Sequence, residues 1–298
     1  MASEAQYPRL DGKVCLVTGA TSGIGKATAI GLAKLGAQVV MVGRNPTKSA
    51  MALDDVRRQS GSDSVQLLHG DLASLASVRE LAVDFLSAHT SLYALVNNAG
   101  VMQFKGTLSQ DGFENNFAVN YLAPFLLTHL LLDTIKASAP ARIVNVSSAA
   151  HFGGKMNLAT VRQTTGGGGM MGLYGRSKLA VVLFTFELAR QLAGTGVTAN
   201  CLHPGVVATN LGASSGPMVD AFFKLGRALL TSPETSAQAL IRLVADPSLA
   251  NVTGQYYNIM KPARSAAASY DTQLASRLWD ETLGWVGLAS PAPDTAAS

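Results

Sequence analysis

Tyr174 and Lys178 stand four residues apart in "GLYGRSKLA" (172–180), ahead of the apolar run Leu179 to Phe184. At 3.6 residues per turn they share one face of any helix built here. Phenol and ammonium both prefer water, so their place on an apolar helix asks for a reason. A phenol with its ordinary pKa of about 10 is a poor base at neutral pH. An ammonium one turn away stabilises phenolate and draws that pKa toward the working range of an acid–base catalyst. Taken alone, such a pair is a common helical coincidence. It gains weight from Ser147 and Ser148 in "VNVSS" (144–148), either of which can donate a hydrogen bond to a carbonyl oxygen as charge grows on it. A proton donor beside an oxygen-polarising hydroxyl suits hydride transfer to a carbonyl.

Upstream, "TGATSGIG" (18–25) supplies Gly19, Gly23 and Gly25 between an apolar strand signal and a helix signal. Glycines there let the backbone approach a pyrophosphate, and the helix N-terminus offers free N–H groups and a positive dipole end. Thr21, Ser22 and Ile24 belong to the same turn. At the end of the second strand an acid selects NAD and an arginine accommodates a 2′-phosphate. The chain reads Met41-Val42-Gly43-Arg44 with Lys48 a turn later, which favours NADP(H). Asp71, followed by Leu72, is placed either to accept from an adenine amino group or to cap the next helix.

These residues need a scaffold. Strand signals at 13–19, 38–44, 64–68, 92–100, 141–148, 196–205 and 254–259 alternate with helix signals at 24–35, 46–59, from Ser74, 113–136, 173–192, 233–245 and 271–285. Such alternation means a parallel sheet covered on both faces, and near-continuous apolar strands fit a sheet buried on both sides. The expectation is an α/β chain: one Rossmann-type doubly wound domain over 1–298, with a seven-stranded parallel sheet. In such sheets ligands sit beyond the carboxyl ends of the strands, where the segments after strands four, five and six lie. Two irregular segments stand out: a flexible loop at about 151–172 and a substrate loop or lid at about 206–230, where Phe222, Phe223 and Leu225 read either as an amphipathic lid over substrate or as a surface helix packing back.

The chain has 298 residues, 48% hydrophobic and 14% charged, with a net charge of +4. That is globular composition, and so small a surplus without a basic run does not indicate a nucleic-acid binder. Cys15 and Cys201 fall inside strand signals as small buried hydrophobes, and no Cys/His cluster suggests a metal. The N-terminal "MASEAQYPRLDGK" carries no apolar stretch, and Asn115 to Leu132 contains two asparagines, Pro124 and His129. The expectation is no signal peptide, no membrane span and a cytoplasmic protein. His151 and His203 flank the site, either as structural histidines or as substrate contacts.

In order along the chain, "TGATSGIG", "NNAG" (97–100), "VNVSS", "YGRSK" (174–178) and "HPGVVAT" (203–209) resemble the short-chain dehydrogenase/reductase family. Within it the wording is most similar to the retinol dehydrogenase and protochlorophyllide reductase branch, through "SSAAH" and "SKLAVVLFTFELARQLAGTGVTANCLHPGVV". The resemblance implies Tyr174 as the catalytic acid–base, Lys178 as its partner and Ser148 as the carbonyl-polarising serine. It implies that Asn120, in "FAVNYLAPF", holds a water in the proton relay behind the lysine. Asn98, Ala99 and Gly100 would lie along the cofactor, and Pro204, Gly205, Val207 and Thr209 would meet its nicotinamide amide and phosphates. It also implies that the helices at 113–136 and 174–192 pair subunits in a homodimer or homotetramer. The expected activity is interconversion of a hydrophobic carbonyl and its alcohol. Reduction of a conjugated C=C bond and a non-catalytic NADP(H)-sensing module are the alternatives. An intact Ser148/Tyr174/Lys178 set argues against the last.

Overall fold

The computed structural model describes residues 7–103, 106–165, 169–205 and 231–288. The apolar runs form strands β1 (Val14–Thr18), β2 (Gln38–Gly43), β3 (Val65–His69), β4 (Ala94–Asn97), β5 (Ala141–Val146), β6 (Val197–His203) and β7 (Tyr256–Asn258). They pair in parallel in the order β3-β2-β1-β4-β5-β6-β7. An eighth strand, β8 (Lys261–Pro262), runs antiparallel to β7 and corrects the expected count of seven. Its register leaves only Ile259 and Met260 as the hairpin turn, and Ile259 takes φ +54. A two-residue hairpin demands positive φ at its first central position, which strains a β-branched residue. No glycine marks this turn in the sequence, which is why the hairpin was not expected.

Alternate strand residues feed two cores. On one face α1 (Gly23–Lys34), α2 (Pro46–Ser60) and α8 (Pro233–Ala245) cover Cys15, Val17, Val39 and Met41. On the other, α3 (Leu75–Ala88), α5 (Ala123–Leu130) and α7 (Gly169–Gln191) cover Leu16, Val40, Leu95 and Ile143. α9 (Thr272–Trp285) packs outside α5 and α7, setting Trp279 against Phe125, His129 and Phe184. Part of the apolar surface of α5 and α7 is therefore covered within one chain. Among the described residues no helix is long and apolar enough to cross a membrane.

The continuous helix expected over 113–136 is broken. A short α4 (Asn115–Phe117) passes into a π-helical turn, Ala118–Leu122, then α5, and α6 (Leu132–Ala137) follows. Pro124 has no N–H for the carbonyl four residues back, and its ring crowds that carbonyl. The ladder widens instead, with the Ala123 N–H bonded to Ala118 O. The segment 151–165, expected as flexible, carries two 3₁₀ turns, Ala149–Gly153 and Leu158–Thr160. The lid at 206–230, with Phe222, Phe223 and Leu225, lies outside the described residues.

Candidate active site

A groove of about 490 Å³ runs along the carboxyl ends of β1 to β6. At one end the β1–α1 turn places Gly19 at φ +66 and Gly23 at φ +53, backbone that disfavours side chains. A Cβ on Gly19 would lie 2.8 Å from Ala99 Cα, so the turn packs tightly against the loop after β4. Five other α-helices carry side-chain N-caps: Asn45, Ser74, Glu114, Ser232 and Asp271 each accept a backbone N–H. Ser22, the N-cap of α1, makes no such bond, and the first turn of α1 has no acid. The N–H groups and dipole of α1 are left for an anion. Asn98 is a brace for this turn: its Nδ2 donates to Thr18 O at 2.8 Å, and its N–H donates to Thr18 Oγ1 at 3.1 Å.

Arg44, at the tip of β2, is exposed, with Nη1 3.7 Å from Asp71 Oδ1. Asp71 also accepts the Ala73 N–H at 3.0 Å. The N-cap of α3 is Ser74, so capping is not the role of Asp71. A Cβ on Gly43 would stand 2.4 Å from Thr21 Cγ2 and 2.3 Å from Ser49 Oγ, so only glycine lets this strand tip approach the turn. Thr21, Ile24, Gly25 and Leu72 line the same groove. An uncapped helix start and a glycine turn fit the pyrophosphate of a dinucleotide.

At the other end the two serines separate. Ser147 is buried and its hydroxyl donates to Lys178 O at 2.9 Å, so it is committed to the fold. Ser148 lines the groove beside Tyr174 and accepts the Ala150 N–H at 3.2 Å. Tyr174 and Lys178 both face the groove from α7. The helix begins at Gly169 rather than near Leu173, so Tyr174 sits one turn inside it. Lys178 Nζ donates to Val146 O at 2.9 Å and stands 5.8 Å from the Tyr174 ring centre.

The electrostatics differ from the simple pairing argument. Burial pushes the Tyr174 phenol above its usual range, and the nearby Ser148 hydroxyl pulls part of the way back. Burial brings Lys178 down to about 8. Desolvation therefore outweighs charge attraction in the protein alone.

Asn120, in the π turn, clasps the loop after β4: Oδ1 accepts the Val101 N–H at 2.7 Å, and Nδ2 donates to Val101 O and Ser177 Oγ, each at 2.9 Å. A Cβ on Gly100 would sit 3.1 Å from Asn120 Oδ1 and 3.3 Å from Lys178 Nζ, so Gly100 is where these two groups converge. Pro204 and Gly205 line the groove, and Pro204 O accepts from Ser236. Val207 and Thr209 lie outside the described residues. His203 lines the groove, while His151 is buried behind it. Sequence reasoning passed over Val101, Gln103, Asn115 and Val119, which also line the groove. Pro124, by forcing the π turn, was the available signal for this region. Among the described residues no cluster of His, Cys, Asp and Glu is arranged to hold a metal ion.

Residues 13–220 match the family described as short chain dehydrogenase. Human retinol dehydrogenase 13 is 42% identical over 294 residues, covering 97% of this chain and 88% of that protein. Human polyprenol dehydrogenase is 37% identical over 292 residues, covering 96% and 88%. A solved, uncharacterized protein from Mycobacterium paratuberculosis superposes with a TM-score of 0.77 at 28% identity, covering 96% of this chain and 98% of that one. The Pseudomonas aeruginosa RhlG/NADP active-site complex superposes with a TM-score of 0.69 at 28% identity, covering 86% and 98%. Likeness that runs through both ends of the groove and nearly the whole sequence establishes that this chain belongs to the short chain dehydrogenase family, in its retinol dehydrogenase-like branch.

Proposed function

We propose that the protein is an NADP(H)-dependent oxidoreductase that interconverts a hydrophobic carbonyl and its alcohol on a single catalytic domain. The observation that carries this is Ser148, Tyr174 and Lys178 converging on one groove whose far end is an uncapped helix start. A nicotinamide cofactor bound there supplies or takes the hydride. Tyr174 gives its hydroxyl proton to the substrate oxygen in reduction and takes it back in oxidation. Ser148 donates a hydrogen bond to that oxygen as it gains charge. Lys178, protonated at neutral pH with a pKa of about 8, steadies the phenolate left on Tyr174. Asn120 Oδ1 retains a lone pair beside Lys178 for a relay water. Retinol and polyprenol, named in the relatives, are long isoprenoid alcohols. The apolar Val101 and Val119 in the groove suit a substrate of that kind.

The test is NADPH consumption across a panel of ketones and aldehydes, with wild type beside Tyr174→Phe. The variant is expected to lose about 10²–10⁴-fold in kcat, the usual worth of a positioned acid. Equal rates in both proteins defeat the mechanism. An enone in the panel, with product identification, separates carbonyl from C=C reduction. For the cofactor, Arg44→Asp is expected to move the NADPH/NADH ratio of kcat/KM toward NADH by about tenfold or more, through loss of the 2′-phosphate partner. An unchanged ratio means Arg44 is not the selector.

A further inference from the structure

His151 is fully buried, yet both of its ring nitrogens are engaged. Nδ1 lies 2.6 Å from Ser148 O, and Nε2 lies 3.1 Å from the Ala266 N–H. A carbonyl can only accept and an amide can only donate. The two partners therefore fix the ring as neutral, with its proton on Nδ1. The ring is walled by Phe152 at 4.1 Å and Tyr256 at 4.8 Å, so it has no room to turn. Ser148 O takes a second bond from the His151 N–H at 3.1 Å. That doubly held carbonyl fixes the peptide on which the Ser148 hydroxyl is carried. Ala266 opens the 3₁₀ turn Ala267–Tyr270, which Ser265 and Ser269 close by a 2.7 Å hydroxyl pair. The C-terminal segment is thus joined, through one imidazole, to the backbone beneath the oxygen-polarising serine.

We propose that His151 is a positioning residue for the reaction: it ties Ser148 to the C-terminal segment, and the Nδ1–H half of the tie holds Ser148 in its working orientation. This rests on the reductase reading above, because the orientation of Ser148 matters to rate only if it polarises a substrate oxygen. His151 is buried and does not line the groove, so its loss is expected to act on kcat and not on cofactor binding.

Two amide variants divide the tie. Asn places its amide N–H where Nδ1–H stands and keeps the bond to Ser148 O. Gln reaches the position of Nε2 and keeps an acceptor for the Ala266 N–H. His151→Asn is expected to hold kcat within about threefold of wild type, whereas His151→Gln and His151→Ala lose about tenfold or more; NADPH affinity by fluorescence titration stays within about twofold in all three. A purely structural histidine would make kcat follow melting temperature across the series. Here His151→Gln melts closer to wild type than its rate predicts. Equal kcat in the Asn and Gln variants, or full kcat in His151→Ala, overturns the proposal. Nitrogen-15 NMR of the histidine rings decides the tie without any turnover. A proton on Nδ1 of a neutral ring supports it, and a proton on Nε2 overturns it. A wild-type protein with that tautomer and no turnover of any carbonyl would instead defeat the reductase reading.

Discussion

Lys178 reaches Val146 O at 2.9 Å from inside a wall of protein, and burial brings its pKa down to about 8. Only the protonated amine can steady phenolate on Tyr174, so the working fraction falls as pH rises through that value. The kcat/KM for reduction is therefore expected to drop above about pH 8, the range in which the free enzyme's essential groups report themselves. Lys178→Arg, which does not lose its proton there, should remove that limb even if its rate is lower. A limb that persists in the arginine variant would assign it to another group. Helical spacing placed Tyr174 and Lys178 on one face, and that reading stands. Depth was not legible, because spacing says nothing of what packs against a face. Burial, where the 3₁₀ turn at Ala149–Gly153 packs against α7 beside Tyr174, reversed the expected shift on Tyr174. Residue chemistry alone left Ser147 and Ser148 open and the family resemblance named Ser148; the structure shows why Ser147 is spent, since its hydroxyl donates to Lys178 O.

Arg176, two residues beyond Tyr174, fastens three elements at the mouth of α7. Its guanidinium donates to Thr160 O at 2.6 Å and stands 3.8 Å from Glu114 Oε2, with both side chains buried. Glu114 in turn accepts the Asn116 and Phe117 N–H groups, each at 3.0 Å, and so starts the helix that carries the π turn and Asn120. Burial lowers the Arg176 pKa, and Glu114 opposes the shift. Removing one member of such a pair leaves the other charge buried, at a cost of about 3–5 kcal/mol. Arg176→Met is expected to lose that much in urea unfolding. The double variant Glu114→Gln/Arg176→Met should lose less than the sum of the singles by about 1 kcal/mol or more. Additive losses would mean the two do not act together. Most strands and helices were readable to within a few residues, since apolar period and turn chemistry are local. The clamp was not, because its partners are 62 residues apart and the loop between 151 and 165 has no apolar period to announce its order. The break at Pro124 was readable in principle: a proline inside an otherwise helical run must disturb the ladder behind it.

Residues 113–128 and 172–189 are buried without interruption, an unusual state for helices on the outside of a sheet. α9 provides the cover. Tyr121 and Thr282 share a 2.7 Å hydroxyl bond, Trp285 meets Phe113 and Phe117, and Arg79 hydrogen-bonds Val286 O. At the other end of the sheet, β8 closes the edge of β7 with Pro262, which offers no N–H for a further strand. The C-terminal helix thus covers apolar side chains of α5 and α7 within one chain. A helix that is apolar all round needs cover on every side, and sequence could not show whether that cover comes from a neighbour or from the same chain. The whole protein is expected to sediment as one chain. Trp279→Ala, which opens the aromatic cluster of Phe125, His129 and Phe184, should destabilise it by about 2–3 kcal/mol, below the range for a fully buried tryptophan because this one is partly exposed. Sedimentation and urea unfolding of both proteins decide the matter together. A wild-type dimer that Trp279→Ala breaks into monomers would mean that α9 covers a neighbour's helices rather than its own.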